Sequence, residues 1–450
     1  MRIFRTMLVW TIAAAAAGGW WFLRGATSVT FADHNAIAVF AGPKAIDPER
    51  ITSLRLERGA DRGASRAFVL KRQGETWMQV EPFPAELDGY SARQLLSQAA
   101  SLVAVREIPD ADGPESAAPA AVLTLDGDGV QHRIEFLRRG VAGRAWLQVD
   151  GKRYVTESSL YERAVEMDPK EWRSRSLFPE SLGRIERIRR ISREGTIQLE
   201  RSGERWSMVS PIRTRADRAR VEELVAAIGK SRSDGFIFDQ PTNLEPFGLA
   251  APIRTLAVDY ATSAGGTTTT RTLLIGAPLG VGSDDCYAMI EGIPTVVRLS
   301  GQTRDVLLPP DALLVDPTAT SARPADVKRI EIRTKDASLE LVRSLDQWTV
   351  APIDGGVAGA ALVAQTPAVE ALLSALCVAR APEMSFAGFP KDLEVATVLL
   401  FGFDGKPLDI VRVARDTKSS RWGFDNGEGA LRVHPAAMDV PLGLAAFTGG

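Results

Sequence analysis

The residue types that carry most enzyme chemistry are scarce here. The chain has three histidines, His34, His132 and His434, and two cysteines, Cys286 and Cys377. No pair of these has metal-ligand spacing. A nucleophilic triad needs a His near its nucleophile and an orienting acid, and no G-x-S-x-G elbow is present. The histidines therefore read as surface or strand residues. Gly276-Ala277-Pro278-Leu279-Gly280-Val281-Gly282 resembles a phosphate loop, but it lacks the Lys and hydroxyl of that motif and no helix pattern succeeds it. It reads as a hairpin loop. Asp284 and Asp285 beside it could face a cation. Ca²⁺ takes about six to eight oxygens, and the local donors are too few, so a solvated loop is expected. Nine Trp could line a glycan site. Three of them, Trp77, Trp206 and Trp348, hold equivalent places in a repeat and read as core. The run Arg184–Arg193 alternates with Ile and Glu. It reads as a solvated strand face, with a docking patch for an acidic partner as the rival. No residue emerges as catalytic, cofactor-binding or metal-binding, and the expectation is a non-enzymatic chain without a cofactor.

Composition bounds what these residues are mounted on. The chain has 450 residues, 45% hydrophobic and 24% charged. Those fractions fit a folded protein and exclude a disordered tail, a collagen or a polytopic membrane protein. The formal charge is -2. Without a basic excess or stripe, nucleic acid is not an expected partner. A length prior of about 150 residues per domain predicts about three domains.

Met7–Leu23 is an uncharged run of 17 residues, at the lower edge of the ~17–25 that span a bilayer core. Arg2 and Arg5 precede it, Arg24 comes after it, and Trp20, Trp21 and Phe22 sit at its distal end. We read residues 1–24 as an uncleaved single-pass anchor with a cytoplasmic N-terminus. The bulk of the chain is then extracytoplasmic, on the periplasmic side of a bacterial inner membrane. A cleaved signal peptide is the competing reading, and a buried soluble helix a third. Residues 25–50 read as a linker with one short strand at Ala36–Phe40.

From residue 51 onward the chain is a triplication. Trp77-Met78-Gln79-Val80-Glu81-Pro82, Trp206-Ser207-Met208-Val209-Ser210-Pro211 and Trp348-Thr349-Val350-Ala351-Pro352 are nearly one phrase. Leu70, Leu199 and Leu341 stand seven residues before each Trp, with Phe68, Ile197 and Leu339 two further back. That spacing is a half-buried strand. Gly74 and Gly203 mark the turn between the two strands, where the third copy has Leu345. Upstream, Ile51, Leu54 and Leu56 match Val327, Ile330 and Ile332. The middle copy has Ile185, Ile188 and Ile191, whose period of three predicts a bulge.

Downstream come amphipathic helices with apolar positions Ala92/Leu95/Leu96/Ala99, Val221/Leu224/Val225/Ile228 and Val369/Leu372/Leu373/Leu376. Thr366 and Pro367 would cap the third. Three strand-like runs and a hairpin partner lie beyond each helix. In the last hairpin Trp146, Tyr287 and Trp422 precede a turn Gly by five residues. The expected fold class is α+β: an N-terminal transmembrane helix, then three ββαβββ-like units with mainly antiparallel sheets. Their bounds are 51–180, 185–316 and 325–445. Cys286 and Cys377 fall in different units and read as buried thiols, not a disulfide.

In the middle unit, Glu245-Pro246-Phe247-Gly248-Leu249-Ala250-Ala251-Pro252 precedes a strand. Leu273-Leu274-Ile275-Gly276 and a strand containing Tyr287 come next. This order resembles the bacterial domain-of-unknown-function 4340 family, best over residues 185–315. The third unit keeps only Phe389-Pro390 of the phrase, and the first has none, so both read as degenerate copies. The resemblance implies a membrane-anchored protein found with ABC-type transporter components of the gliding-motility kind, and it transfers no catalytic residue. The expected function is a non-enzymatic, membrane-anchored extracytoplasmic scaffold, an accessory subunit of an ABC-type transport assembly. Its partners would be a transporter permease or related accessory protein, and the membrane through residues 7–23. The alternative is an extracytoplasmic binding module for peptide, glycan or lipid.

Overall fold

Alternating apolar residues fold into sheet wherever the run is long enough to bury one face. The computed structural model describes residues 36–59, 67–74, 76–109, 118–179, 182–261, 268–345, 347–354, 357–358 and 360–449. The anchor read at residues 7–23 and His34 lie outside the described residues. Among the described residues, no helix is long and apolar enough to cross a membrane.

Each repeat builds one large antiparallel sheet, consistent with the α+β expectation. The middle repeat has nine strands: Arg184–Ser192, Gly195–Ser202, Arg205–Ser210, Thr214–Arg215, Gly235–Asp239, Arg254–Ala261, Thr268–Pro278, Cys286–Ile290 and Thr295–Leu299. Numbered along the chain, they lie in the spatial order 4-3-2-1-6-7-8-9-5. The first and third repeats show the same order, each with one extra short strand. Three helices, α1 (Gly89–Ala100), α2 (Arg218–Lys230) and α3 (Thr366–Cys377), each join the fourth strand to the fifth. The helix thus carries the chain from one sheet edge to the other. The ββαβββ label names five strands where the middle sheet has nine, and the short fourth strand and the fifth strand coincide with none of the strand-like runs of the sequence. The fourth has only two residues, and in the fifth Phe236, Ile237 and Phe238 follow one another without alternation.

The cores keep the expected periodicity. Ala92, Leu95, Leu96 and Ala99 of α1 are buried, as are Val221, Leu224 and Ile228 of α2. On α3, Val369, Leu372, Leu373 and Leu376 are buried. Opposite them, Leu54, Ile188 and Ile330 are at most 1% exposed. Each such side chain contributes about 1.5–3 kcal/mol by leaving water. Asp88 and Asp217 cap α1 and α2 by accepting from backbone N–H groups. The cap of α3 is Gln365, without a side-chain bond, so Thr366 is already helical. The predicted bulge is present between Ile185 and Arg187. It turns Ile185 and Ile188 both inward, while Ile191 is left exposed.

The chain divides into two compact units, one ending at Ser174 and one from Arg175 to Gly450. In the first, Ile37–Ala38 pairs with the fifth strand Val103–Ile108 and becomes the sheet edge, and Phe40 and Ile46 join the core. The described part of the segment read as linker is thus built into the sheet. The second unit contains the middle and third repeats.

Candidate functional site

The connection between the middle and third sheets is built from charge. Arg215 lies on the short edge strand Thr214–Arg215, and Ala216 bridges to Val315. This pairing lays the segment after Val315 against the middle sheet. The Arg215 amide and Nε both donate to Glu428 at 3.3 Å, and Thr214 Oγ1 donates to it at 3.0 Å. Arg215 Nη2 reaches the Thr318 carbonyl at 3.1 Å, and Nη1 lies 3.2 Å from Asp316. From the third sheet, Arg432 donates Nε to the Asp316 carbonyl at 3.1 Å and Nη1 to the Ala430 carbonyl at 3.0 Å. The segment 316–319 is therefore gripped from both sides. Lying at the boundary between the units bounded at 316 and 325, it is an ordered seam.

Arg432 is fully buried. Burial, and then repulsion from Arg215, lower its pKa, against the pull of Glu428, Asp316 and Asp425. Burial opposes the Glu428 charge, but Arg215, its backbone amide, Thr214 and Arg432 together hold that carboxyl below its ordinary range. Apolar contacts close the seam: Ala430 enters the core of the middle repeat, and Met384 and Phe386 pack against it. Arg380 also pairs with Asp217, the cap of α2. Beside this pair is a cleft of about 830 Å³, lined by residues of both repeats including Glu222, Thr320 and Arg323. The chemistry of the seam is rigid fixation of two sheets.

The other residues singled out from sequence are dispersed. Trp77, Trp206 and Trp348 are buried, as their repeat positions required. His132 edges against Phe40 at 5.6 Å. His434 lies in the strand Leu431–His434, 1% exposed, its ring tilted at 53° to that of Phe424 with centres 5.1 Å apart. Burial and then Arg432 depress its pKa to about 4. Both cysteines are free; Cys286 is buried, Cys377 only partly so, and burial raises the Cys377 thiol to about 12. The Gly276–Gly282 run leads out of a strand into the turn before Cys286. Asp285 accepts from the Gly301 amide at 3.1 Å and Arg298 Nε at 2.8 Å, which lower its pKa. Among the described residues, no cluster of three or more His, Cys, Asp or Glu could hold a metal. Arg187 and Arg189 lie on the outer sheet face and share Asp259, at 3.2 and 3.0 Å.

Residues 206–394 match the family described as Domain of unknown function (DUF4340). This chain carries a DUF4340 region. The match begins at the Trp206 phrase, not at 185, and crosses the seam into the third repeat. No curated protein matches the chain. Among solved structures it is similar to the H. pylori Beta clamp in complex with 5-chloroisatin, at 8% identity and a TM-score of 0.16. That alignment covers 81% of this chain and 86% of that one. A likeness so low carries no argument.

Inside the DUF4340 region, the phrase around Phe247 is structural. Leu249 is 2% exposed and forms a satellite core with Met289 and Val296 on the outer sheet face. Phe247 packs edge-on against Tyr287, ring centres 5.2 Å apart. The aromatic, the Leu and the Tyr-containing strand of the DUF4340 pattern are thus one small apolar lid.

Proposed function

We propose that the chain is a non-enzymatic, membrane-anchored scaffold. In this reading it serves on the extracytoplasmic side as an accessory subunit of an ABC-type transport assembly. Residues 7–23 hold it in the inner membrane with the N-terminus cytoplasmic, and a permease or related accessory protein is its partner. The observation that carries the reading is a contrast among the three outer sheet faces. The paired positions Thr124 and Arg133 in the first repeat correspond to Ala257 and Thr272 in the middle one. In the third they are Leu399 and Ile410. Asp126 and Asp259 correspond likewise to Phe401. With Leu408 and Phe403, this makes an apolar patch in which Ile410 is 47% and Phe403 65% exposed. Clustered exposed apolar side chains of this kind mark protein contacts. The seam gives the patch a rigid mount.

Co-purification from native membranes tests the proposal. Replacing residues 7–23 by an unrelated single-pass helix should leave the permease partner bound. The double variant Ile410→Glu, Phe403→Glu should release it. Retention of the partner by the double variant, or by residues 1–50 alone, would overturn the assignment.

A further inference from the structure

The triplication supplies an internal control for every sheet position. Ile188 pairs with Val258, Leu54 with Leu125 and Ile330 with Leu400, which aligns the three repeats. Two residues on, the core-facing position is Leu56 in the first repeat and Ile332 in the third, both 0% exposed. In the middle repeat it is Arg190. The neighbouring strand repeats the pattern. Arg58 pairs with Ala121, Thr334 with Ala396 and Ser192 with Arg254. Ala121 and Ala396 are buried, so Arg254 takes the place of two core alanines. In the middle repeat alone, two guanidinium groups stand where core would otherwise close.

The space they leave is a pocket of about 390 Å³, near the lower end of small-molecule sites, about 300–1,000 Å³. Its apolar walls include Ile191, Ile197, Pro211 and Leu308. Arg190 also lines the pocket and is fixed there by donating to the Pro309 carbonyl and to Asp311. Burial and then Arg254 push its pKa down to about 10, so the two cations sense each other. Among the described residues, the Arg254 side chain makes no hydrogen bond or ion pair, while its backbone lies in the sheet between Ser192 and Ile275. It is exposed and lines the pocket. The first repeat shows the closed alternative. Its Arg58 spends Nε and Nη2 on the carbonyls of Ala164 and Met167 and lies over Phe68 and Trp172. Glu194 also lines the middle pocket and disfavours a second negative charge there.

We propose that this pocket binds a small amphipathic monoanion, a carboxylate carried on an apolar group of the size of an acylated amino acid. Arg254 receives the carboxylate, and the apolar walls take the attached group. A guanidinium binds a carboxylate through two parallel hydrogen bonds, and the partly dry walls strengthen that contact.

Ligand-observed NMR and calorimetry on the full-length chain test this with three probes: N-acetyl-L-leucine, its neutral amide, and inorganic phosphate. Saturable binding of the acid is expected. Loss of the carboxylate charge in the amide should weaken binding by about tenfold or more, and phosphate should bind less well than the acid. Arg254→Ala installs the residue the other repeats hold and should weaken the acid about tenfold or more, with an unchanged melting temperature. Arg254→Lys should recover part of the affinity. Equal binding of acid and amide, tighter binding of phosphate, or full affinity in Arg254→Ala would each overturn the assignment. So would the absence of saturable binding by the acid.

Discussion

Gly248 and Gly276 pack backbone against backbone. A Cβ on Gly276 would fall 2.2 Å from the Phe247 carbonyl oxygen, and one on Gly248 would fall 2.7 Å from the Ala277 amide nitrogen. Gly248 also has φ +65°, a left-handed conformation that suits Gly. The two glycines of the DUF4340 phrase, 28 residues apart in number, are therefore one device that seats the Phe247 loop on the sheet.

Gly276→Ala should accordingly destabilise the second compact unit by about 1–3 kcal/mol, the usual range for overpacking. Urea denaturation checks this. A loss under about 0.5 kcal/mol, the level of an ordinary surface change, would show that the loop can lift without cost.

Leu345 offers the opposite case. It occupies the turn position of Gly74 and Gly203 with φ +54°, beside their +61°, and is 91% exposed. A left-handed non-Gly residue costs about 1–2 kcal/mol, partly offset in Leu345→Gly by the greater freedom of the unfolded chain. A net gain of about 0.5–1 kcal/mol is expected from these two terms. A lower melting temperature for the variant would count against strain at this turn.

The seam predicts a large effect from one charge. Glu428→Gln leaves Arg215 and the buried Arg432 without their shared carboxylate. Breaking a buried pair on one side costs about 3–5 kcal/mol, and partial exposure of Glu428 places the expectation at the lower end. Glu204→Gln, on an exposed pair with Arg218, should change stability by less than about 1 kcal/mol. Equal small effects in both denaturation curves would mean that the seam is not held by charge.

His434 makes stability depend on acid. Its pKa is about 4 in the fold against 6.5 free. Above pH 6.5 both states are neutral and the group contributes no pH dependence. As pH falls from 6.5 to 4, the unfolded state takes up the proton first, so stability declines, by about 3 kcal/mol in all. His434→Gln removes that titration. The stability difference between wild type and variant should therefore shift by this amount between pH 7 and pH 4. A constant difference would show that His434 is solvated.

The triplication, the antiparallel class, the helix faces and the burial of Trp77, Trp206 and Trp348 are all legible in the amino-acid order. They rest on short-range periodicity and on repetition, both of which are written along the chain. Even the bulge at Ile185–Arg187 was legible, because a period of three cannot satisfy a period-two strand. The pairing of the edge strands Gly235–Asp239 and Glu383–Ser385 emerges only in three dimensions, since their partners are distant, the first shows no alternation and the second has only three residues. The fold alone turned segment 316–319 from a boundary into a seam, because the grip of Arg215, Glu428 and Arg432 joins residues more than 200 positions apart. It also separated Arg190 from its neighbours in the Arg184–Arg193 run. Side-chain direction on a twisted, bulged strand places Arg187 and Arg189 on the outer face and Arg190 at the mouth of the core. That distinction rests on the register between strands, which residue type alone does not specify.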